Sequence, residues 1–227
     1  MILTNGSSAL KVEPITRPHA KKTCYVNHKK DMPTEVYPLK NIEDIEKIKN
    51  YYLSQDSYIG YRDYTSFVIG INTGLRCGDI VELKWNTFFD NDGQIFNKII
   101  FKEQKTKKFR PIYLNESVKD ALRLFWTKSD SHEGYIFSSQ RNPHIDTNTL
   151  YRYLKAAAKS VGITFNVGSH TIRKTWGYHQ YKAHSPSNPR FIYELQKMFV
   201  HSSSEVTLAY IGITDERSEE YYNDVNL

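Results

Sequence analysis

Apolar side chains recur every three or four positions through most of the chain after residue 36, which is the spacing of amphipathic helices. The first such stripe consists of Ile42, Ile45, Ile48 and Tyr52, and Asn41 precedes it in the position of a helix cap. The same spacing predicts further helices over residues 61–72, 77–84, 116–127, 147–161, 171–184, 190–199 and 204–210.

One region departs from the helical period. Residues 95–101 and 109–114 are rich in β-branched and aromatic side chains, which is typical of strands. Between them lies a polar, lysine-rich turn at residues 103–108. We therefore predict a β-hairpin with a basic tip, and a fold class that is mainly α with a small antiparallel β-sheet.

The two ends of the chain differ from the region between them. Residues 1–36 carry several lysines and arginines without apolar periodicity, which predicts either a flexible leader or a basic arm that binds the backbone phosphates of a nucleic acid. Residues 37–213 are expected to form one domain. Residues 214–227 form an acidic tail with Tyr221 and Tyr222, which either packs on its own domain or contacts a neighbouring subunit.

The composition of the chain indicates what kind of partner it binds and where in the cell it acts. The chain has 227 residues, a formal net charge of +6 and a pI near 9.1, which favours a polyanionic partner. No apolar run approaches the roughly 18 residues of a membrane span. The two cysteines, Cys24 and Cys77, cannot form a disulfide framework, and no cluster has metal-ligand spacing. We expect a cytoplasmic protein without a metal or cofactor.

Four separated motifs carry candidate chemistry. Each has an ordinary interpretation by itself: an exposed arginine after a glycine turn, a solvated hairpin tip, a capping histidine, and a tyrosine on a helix. The motifs are T-G-L-R at 73–76, the lysines of the hairpin tip, H-T-I-R at 170–173, and a histidine followed nine residues later by a tyrosine. Their candidate residues are Arg76, Lys105, His170, Arg173, His201 and Tyr210.

Taken together and in this order, the motifs resemble those of the tyrosine recombinase family, also called phage integrases. The family pattern L-x-Y-[IL]-G is matched by residues 208–212, and the resemblance extends from about Tyr37 to the C-terminus. It implies the family's mainly helical catalytic domain with its small sheet. Most family members carry a separate helical domain before the catalytic one, whereas only about 36 irregular residues precede it here.

The resemblance also implies a role for each candidate residue. Tyr210 would be the nucleophile that attacks a backbone phosphate. Arg76 and Arg173 would bind the non-bridging oxygens, where planar guanidinium groups suit the developing charge. His170 would act as a base or hydrogen-bond partner, and Lys105 as the general acid that protonates the departing 5′ oxygen.

Three further assignments accompany these roles. By the same resemblance, His201 would donate a hydrogen bond to a phosphate oxygen. Lys107 and Lys108 are rivals of Lys105 for the role of general acid, and they are also predicted DNA contacts. Lys174 is the third predicted DNA contact.

The resemblance implies site-specific recombination of double-stranded DNA through a 3′-phosphotyrosine, by subunits that assemble as dimers or tetramers on DNA. Such a protein is expected in a bacterial or phage-borne setting, associated with the nucleoid. Two alternatives stay open. A type IB topoisomerase would relax a plasmid that lacks any recombination site, and a non-catalytic DNA-binding accessory protein would form no covalent adduct with DNA.

Overall fold

The computed structural model describes residues 35–225, with the side chains of residues 215 and 217–220 left aside; the predicted arm, residues 1–36, lies almost entirely outside this range. The helices are α1 (Ile42–Ser54), α2 (Tyr58–Thr73), α3 (Cys77–Val81), α4 (Trp85–Phe88), α5 (Glu116–Thr127), α6 (Thr147–Ser160), α7 (Thr171–His184), α8 (Phe191–Phe199), α9 (Ser204–Tyr210) and α10 (Ile213–Asp224). The strands are β1 (Lys98–Lys102) and β2 (Phe109–Tyr113). None of the described helices is long and apolar enough to cross a membrane.

The main hydrophobic core is organised around α2, which packs against α1, α5, α6 and α7. Phe67 and Ile69 of α2 are almost fully buried, as are Ile48 of α1 and Phe125 of α5. Burial of each such side chain contributes about 1.5–3 kcal/mol. This core therefore gives firm support to the turn that follows α2 and to the start of α7.

A second, smaller cluster joins the C-terminal helices to α7. Its members are Trp176, Tyr178, Phe191, Leu195, Phe199, Ile211 and Ile213. Gly177 of α7 lets Phe199 approach the helix backbone, because a Cβ at this position would lie 2.5 Å from the Phe199 ring. The cluster holds α8 and α9, and therefore Tyr210, against α7.

The two strands form an antiparallel hairpin in which Lys98 pairs with Tyr113 and Lys102 with Phe109. Backbone hydrogen bonds between residues 103 and 108 and between residues 107 and 103 close the tip. The predicted fold class, mainly α with a small antiparallel sheet, is confirmed.

Several element boundaries differ from the prediction. The helix predicted over residues 77–84 ends at Val81, because Lys84 is extended and pairs with Tyr135 in an isolated bridge. The short α4 that follows was not predicted. The first strand begins at Lys98 rather than at residue 95, since Ile95 forms a separate bridge. Most of the predicted tail is helical in α10, whose polar sequence shows little apolar period.

Candidate active site

Arg76 lies directly after the turn that ends α2. Gly74 adopts a left-handed conformation with φ of 63°, and the Trp176 ring occupies the space where a Cβ would lie. Arg76 is the N-cap residue of α3, and its Nη1 donates to Oε2 of Glu103 over 2.8 Å. The turn at Gly74 therefore places Arg76 beside Glu103 of the hairpin.

The hairpin tip brings Lys105 next to Arg76. Both residues, together with Asp79 and Lys107, line an open pocket of about 350 Å³. Lys105, Lys107 and Lys108 are all exposed. The tip is therefore both positively charged and accessible to solvent, so it can bind an anion such as a DNA phosphate.

Arg173 lies in the first turn of α7 and connects three parts of the site. Its side chain is buried and donates to the backbone carbonyls of Gly74 and Met198. The guanidinium carbon lies 4.8 Å from the centre of the Phe199 ring. Burial, together with repulsion from the guanidinium of Arg76, lowers the pKa of Arg173 to about 10. Arg173 therefore stays charged at neutral pH. It lies close enough to Arg76 for the two positive charges to repel each other.

Tyr210, at the end of α9, faces His170, the N-cap residue of α7. The Tyr210 hydroxyl lies 3.3 Å from Nδ1 of His170. The ring of His201 lies 4.9 Å from the Tyr210 ring, and its Nδ1 is 3.1 Å from the hydroxyl of the fully buried Thr207. Phe199 packs against both rings. The predicted nucleophile and both predicted histidines are thus brought together.

The pKa values of these two groups shift in opposite directions, upward for Tyr210 and downward for His170. Burial raises the pKa of Tyr210, while the nearby charges of Arg173 and Arg76 act to lower it. Burial also lowers the pKa of His170, and the positive charges of Lys174, Arg173, Arg76 and Lys105 lower it further. An imidazole with a lowered pKa is neutral at pH 7 and free to accept a proton.

The pKa of His201 is lowered, as is that of His170. Burial lowers its pKa, and the charges of Arg173 and Arg76 add to the effect. The two arginines therefore act on both histidines and on Tyr210. All six predicted catalytic residues interact with at least one other member of the set, either by a contact or through their charges.

Lys174, the third predicted DNA contact, is buried and lies in an ion pair. Its side chain is buried, and its Nζ forms an ion pair with Glu35 at 2.8 Å. The ammonium also lies 5.2 Å from the centre of the Tyr210 ring. Contact of Lys174 with DNA stays a prediction, and it would depend on opening of this ion pair. Lys107 and Lys108 are exposed, as a DNA contact requires.

Two acidic residues that no sequence motif had indicated lie beside the predicted site. Glu103 is 3% exposed and pairs with Arg76, and Asp79 is buried and accepts the backbone N–H of Gln104. An acid inside a lysine-rich turn was the only sequence signal for Glu103. Within the described residues, no group of three or more His, Cys, Asp or Glu side chains is arranged to hold a metal ion.

Comparison with known proteins gives a family for this fold and site. Residues 39–217 match the model of the Phage integrase family. The probable integrase/recombinase YoeC of Bacillus subtilis (strain 168) is 36% identical over 188 residues, which are 82% of this chain and 95% of that protein. Tyrosine recombinase XerD of Listeria innocua is 24% identical over 189 residues, 80% of this chain and 60% of that protein.

Solved structures agree at the level of the fold. The crystal structure of XerA recombinase has a TM-score of 0.60 at 24% identity and covers 84% of this chain and 63% of its own. The post-cleavage complex of XerH recombinase with its difH substrate has a TM-score of 0.60 at 19% identity. The match covers 78% of this chain and 49% of the XerH chain.

The chain belongs to the phage integrase family, the tyrosine recombinases, which are enzymes that break and rejoin DNA. The predictions of the family and of the enzyme class are therefore confirmed. The chain spans almost the whole length of the YoeC relative but only about 60% of the Listeria XerD proteins.

Proposed function

We propose that this chain is a site-specific DNA recombinase in which Tyr210 attacks a backbone phosphate and forms a 3′-phosphotyrosine. The observation that carries the proposal is the contact between the Tyr210 hydroxyl and Nδ1 of His170, with the charges of Arg76 and Arg173 acting on both groups. Residues 37–213 are the proposed catalytic domain, which the family match over residues 39–217 supports.

In the proposed reaction, the bond between the Tyr210 oxygen and phosphorus forms as the bond from phosphorus to the 5′ oxygen breaks. His170 accepts the phenol proton, and Lys105 gives a proton to the departing 5′ oxygen. Arg76 and Arg173 stabilise the negative charge that grows on the non-bridging oxygens. The Arg173 terminal nitrogens carry two N–H groups each, so donors remain beyond those used on Gly74 and Met198.

The second half of the proposed reaction reverses the first. A 5′ hydroxyl attacks the phosphotyrosine, and Lys105 and His170 exchange their roles as acid and base. The covalent link keeps the free energy of the broken bond, so rejoining requires no nucleotide cofactor. The two guanidinium groups supply the positive charge that the phosphate needs.

Double-stranded DNA is the proposed substrate, contacted at the exposed hairpin tip by Lys107 and Lys108. Solved structures of similar fold support this choice: XerH is bound to difH, and lambda integrase to a core site as a dimer and to a Holliday junction as a tetramer. We propose the same mode of self-assembly on DNA here, in the cytoplasm and at the nucleoid.

The C-terminal helix α10 fits both interpretations of the tail at different positions. Near its start, Glu216 accepts a hydrogen bond from the Tyr178 hydroxyl at 2.8 Å and lies 3.3 Å from Lys40, which ties this end to its own domain. Tyr221 and Tyr222 are 66% and 86% exposed. We therefore propose that the last turns of α10 contact a neighbouring subunit.

Trapping of the covalent intermediate tests the proposal and requires no known target sequence. Short duplexes with a randomised sequence around a nick lose the leaving strand after cleavage, so that rejoining stops and the protein stays attached. We expect the wild-type chain to select one sequence as an adduct that resists denaturation, in EDTA as well as in Mg²⁺. Tyr210→Phe should form no adduct while it retains DNA binding.

Tyr193→Phe, at an exposed position on α8, is the matched control and should form the adduct normally. An adduct with Tyr210→Phe, or a strict requirement for Mg²⁺, would contradict the proposed mechanism. Relaxation of a plasmid that lacks the selected sequence would indicate a topoisomerase instead.

A further inference from the structure

The hairpin tip that carries Lys105 needs anchors outside its own two strands. An isolated two-stranded hairpin is at best marginally stable in water. The tip lies beyond the paired residues Lys102 and Phe109, and Lys105 itself is exposed. A general acid must nevertheless stay within hydrogen-bond distance of the leaving oxygen.

Glu103 provides the first anchor. It is 3% exposed, and its Oε2 accepts hydrogen bonds from Arg76 Nη1 and from the Thr106 hydroxyl, both at 2.8 Å. One carboxylate oxygen therefore connects the arginine of the T-G-L-R turn to the residue that follows Lys105.

Asp79 provides the second anchor, on the other side of Lys105. Its Oδ1 accepts the backbone N–H of Gln104 at 3.0 Å. The residues immediately before and after Lys105 are therefore both held, and each is held to the turn and helix that carry Arg76. The backbone on both sides of Lys105 is thus anchored close to this arginine.

The neighbours of Glu103 favour its ionised, negatively charged form. Burial acts to raise the pKa of Glu103, but hydrogen bonds from Arg76 and Thr106 outweigh it and lower that pKa. Arg110 adds positive charge, since its Nε lies 4.0 Å from Oε1 of Glu103. An ionised carboxylate makes stronger hydrogen bonds than a neutral one, which favours a firm clamp on the tip.

We propose that Glu103 and Thr106 are positioning residues that hold Lys105 beside Arg76 at the phosphate to be cleaved. This inference rests on the proposed function, because it requires Lys105 to act as the general acid. It assigns no contact with DNA to Glu103 or Thr106; both act through Lys105.

A substrate with sulfur in place of the bridging 5′ oxygen tests this inference. A thiolate leaves without a proton because thiols are far more acidic than alcohols, so the general acid becomes dispensable. Thr106→Val keeps the shape of the side chain and removes the hydroxyl that donates to Glu103. We expect it to slow cleavage of the oxygen substrate by about tenfold or more, part of the roughly 10²–10⁴-fold that a general acid supplies. On the sulfur substrate its rate should return to within about threefold of wild type, well inside that range.

Glu103→Gln should behave in the same direction and adds a second variant in case one of them folds poorly, which melting temperatures will report. Ile100→Ala, at an exposed position of the same hairpin, should cleave both substrates at the wild-type rate. Equal losses on the two substrates by Thr106→Val and Glu103→Gln, or no loss on either, would overturn the inference.

Two further variants separate a failure of this inference from a failure of the proposed function. Lys105→Ala should lose activity on the oxygen substrate and recover on the sulfur substrate, whereas Arg173→Ala should stay slow on both. If Lys105→Ala recovers and Thr106→Val does not, only the positioning role is wrong. If Lys105→Ala does not recover, the assignment of the general acid is itself wrong, and the inference is overturned with it.

Discussion

The hydroxyl of Tyr210 lies 3.3 Å from Nδ1 of His170, although the two residues are 40 positions apart in the chain. This distance is longer than a strong O–H hydrogen bond, which is about 2.7–2.8 Å. Tyr210, the proposed nucleophile, is docked against its own domain, and we expect a phosphate bound at Arg76 and Arg173 to tighten this contact.

The pH dependence of cleavage should report the protonation of His170. In the proposed mechanism, the imidazole accepts the phenol proton only when it is neutral. Burial and four nearby positive charges lower its pKa from the usual 6.5. Lowering the pH through this pKa protonates His170 and stops it from accepting a proton. We expect single-turnover cleavage to be independent of pH just above 6.5 and to fall only at lower pH.

His201 titrates in the same region, because its pKa is also lowered. His201→Trp removes this titration and keeps an N–H donor, so it should retain the acidic fall in rate. His170→Asn should be slow and lack the fall. A wild-type midpoint at or above pH 6.5, the ordinary value for histidine, would show that the nearby charges do not act on His170 in this way.

Loss of either arginine should slow cleavage and weaken DNA binding much less. We expect Arg76→Ala and Arg173→Ala each to cost about 3 kcal/mol of transition-state stabilisation, or roughly 150-fold in single-turnover rate. Arg173→Ala should also lower the free energy of unfolding by about 1–3 kcal/mol, since the buried carbonyl of Gly74 and the partly buried carbonyl of Met198 lose their donor.

Urea titration measures the free energy of unfolding and so separates a loss of stability from a loss of transition-state stabilisation. Arg76→Ala should be the less destabilising variant, because Arg76 is partly exposed and Glu103 retains the Thr106 hydroxyl as a donor. Cleavage at more than about a tenth of the wild-type rate by either variant would remove that arginine from the proposed phosphate site.

Gly177→Ala should disturb the nucleophile from a distance. The added Cβ would lie 2.5 Å from the Phe199 ring and 2.9 Å from Ile211, the residue directly after Tyr210. Overpacking of this kind costs about 1–3 kcal/mol, and it should push α9 away from α7. We expect slower adduct formation with unchanged DNA affinity, measured by gel shift.

Gly134→Ala is the matched control for that variant. Its φ of 68° makes alanine unfavourable by about 1–2 kcal/mol, but no atom lies within 4 Å of the new Cβ and the loop is outside the site. It should lower stability without a comparable loss of cleavage. Equal losses of cleavage in the two variants would point to global destabilisation.

The salt dependence of DNA binding should separate Lys174 from the lysines of the hairpin tip. Removal of one phosphate contact reduces the slope of log K against log salt concentration by about 1. We expect this reduction for Lys107→Ala and Lys108→Ala. Lys174→Ala should leave the slope unchanged, because Lys174 is buried and paired with Glu35. A reduced slope for Lys174→Ala would contradict this expectation and support its predicted role as a DNA contact.

Much of the fold was predictable because the signals are local. The stripe from Ile42 to Tyr52 and the strand residues at 109–113 reflect periods of a few positions, and the structure contains the corresponding helix and strand. The break between Val81 and Trp85 was not predictable, since the extended Lys84 depends on its pairing with the distant Tyr135.

The sequence by itself determined the helical stripes, the hairpin, and the order of motifs that marks the family, because spacing and turn residues act over short stretches of chain. Only the tertiary structure decided which charges meet. Glu103 pairs with Arg76, 27 positions away, and Lys174 turns inward to Glu35, 139 positions away. Burial and ion pairing depend on what the rest of the chain places around a residue, and no local pattern contains that information.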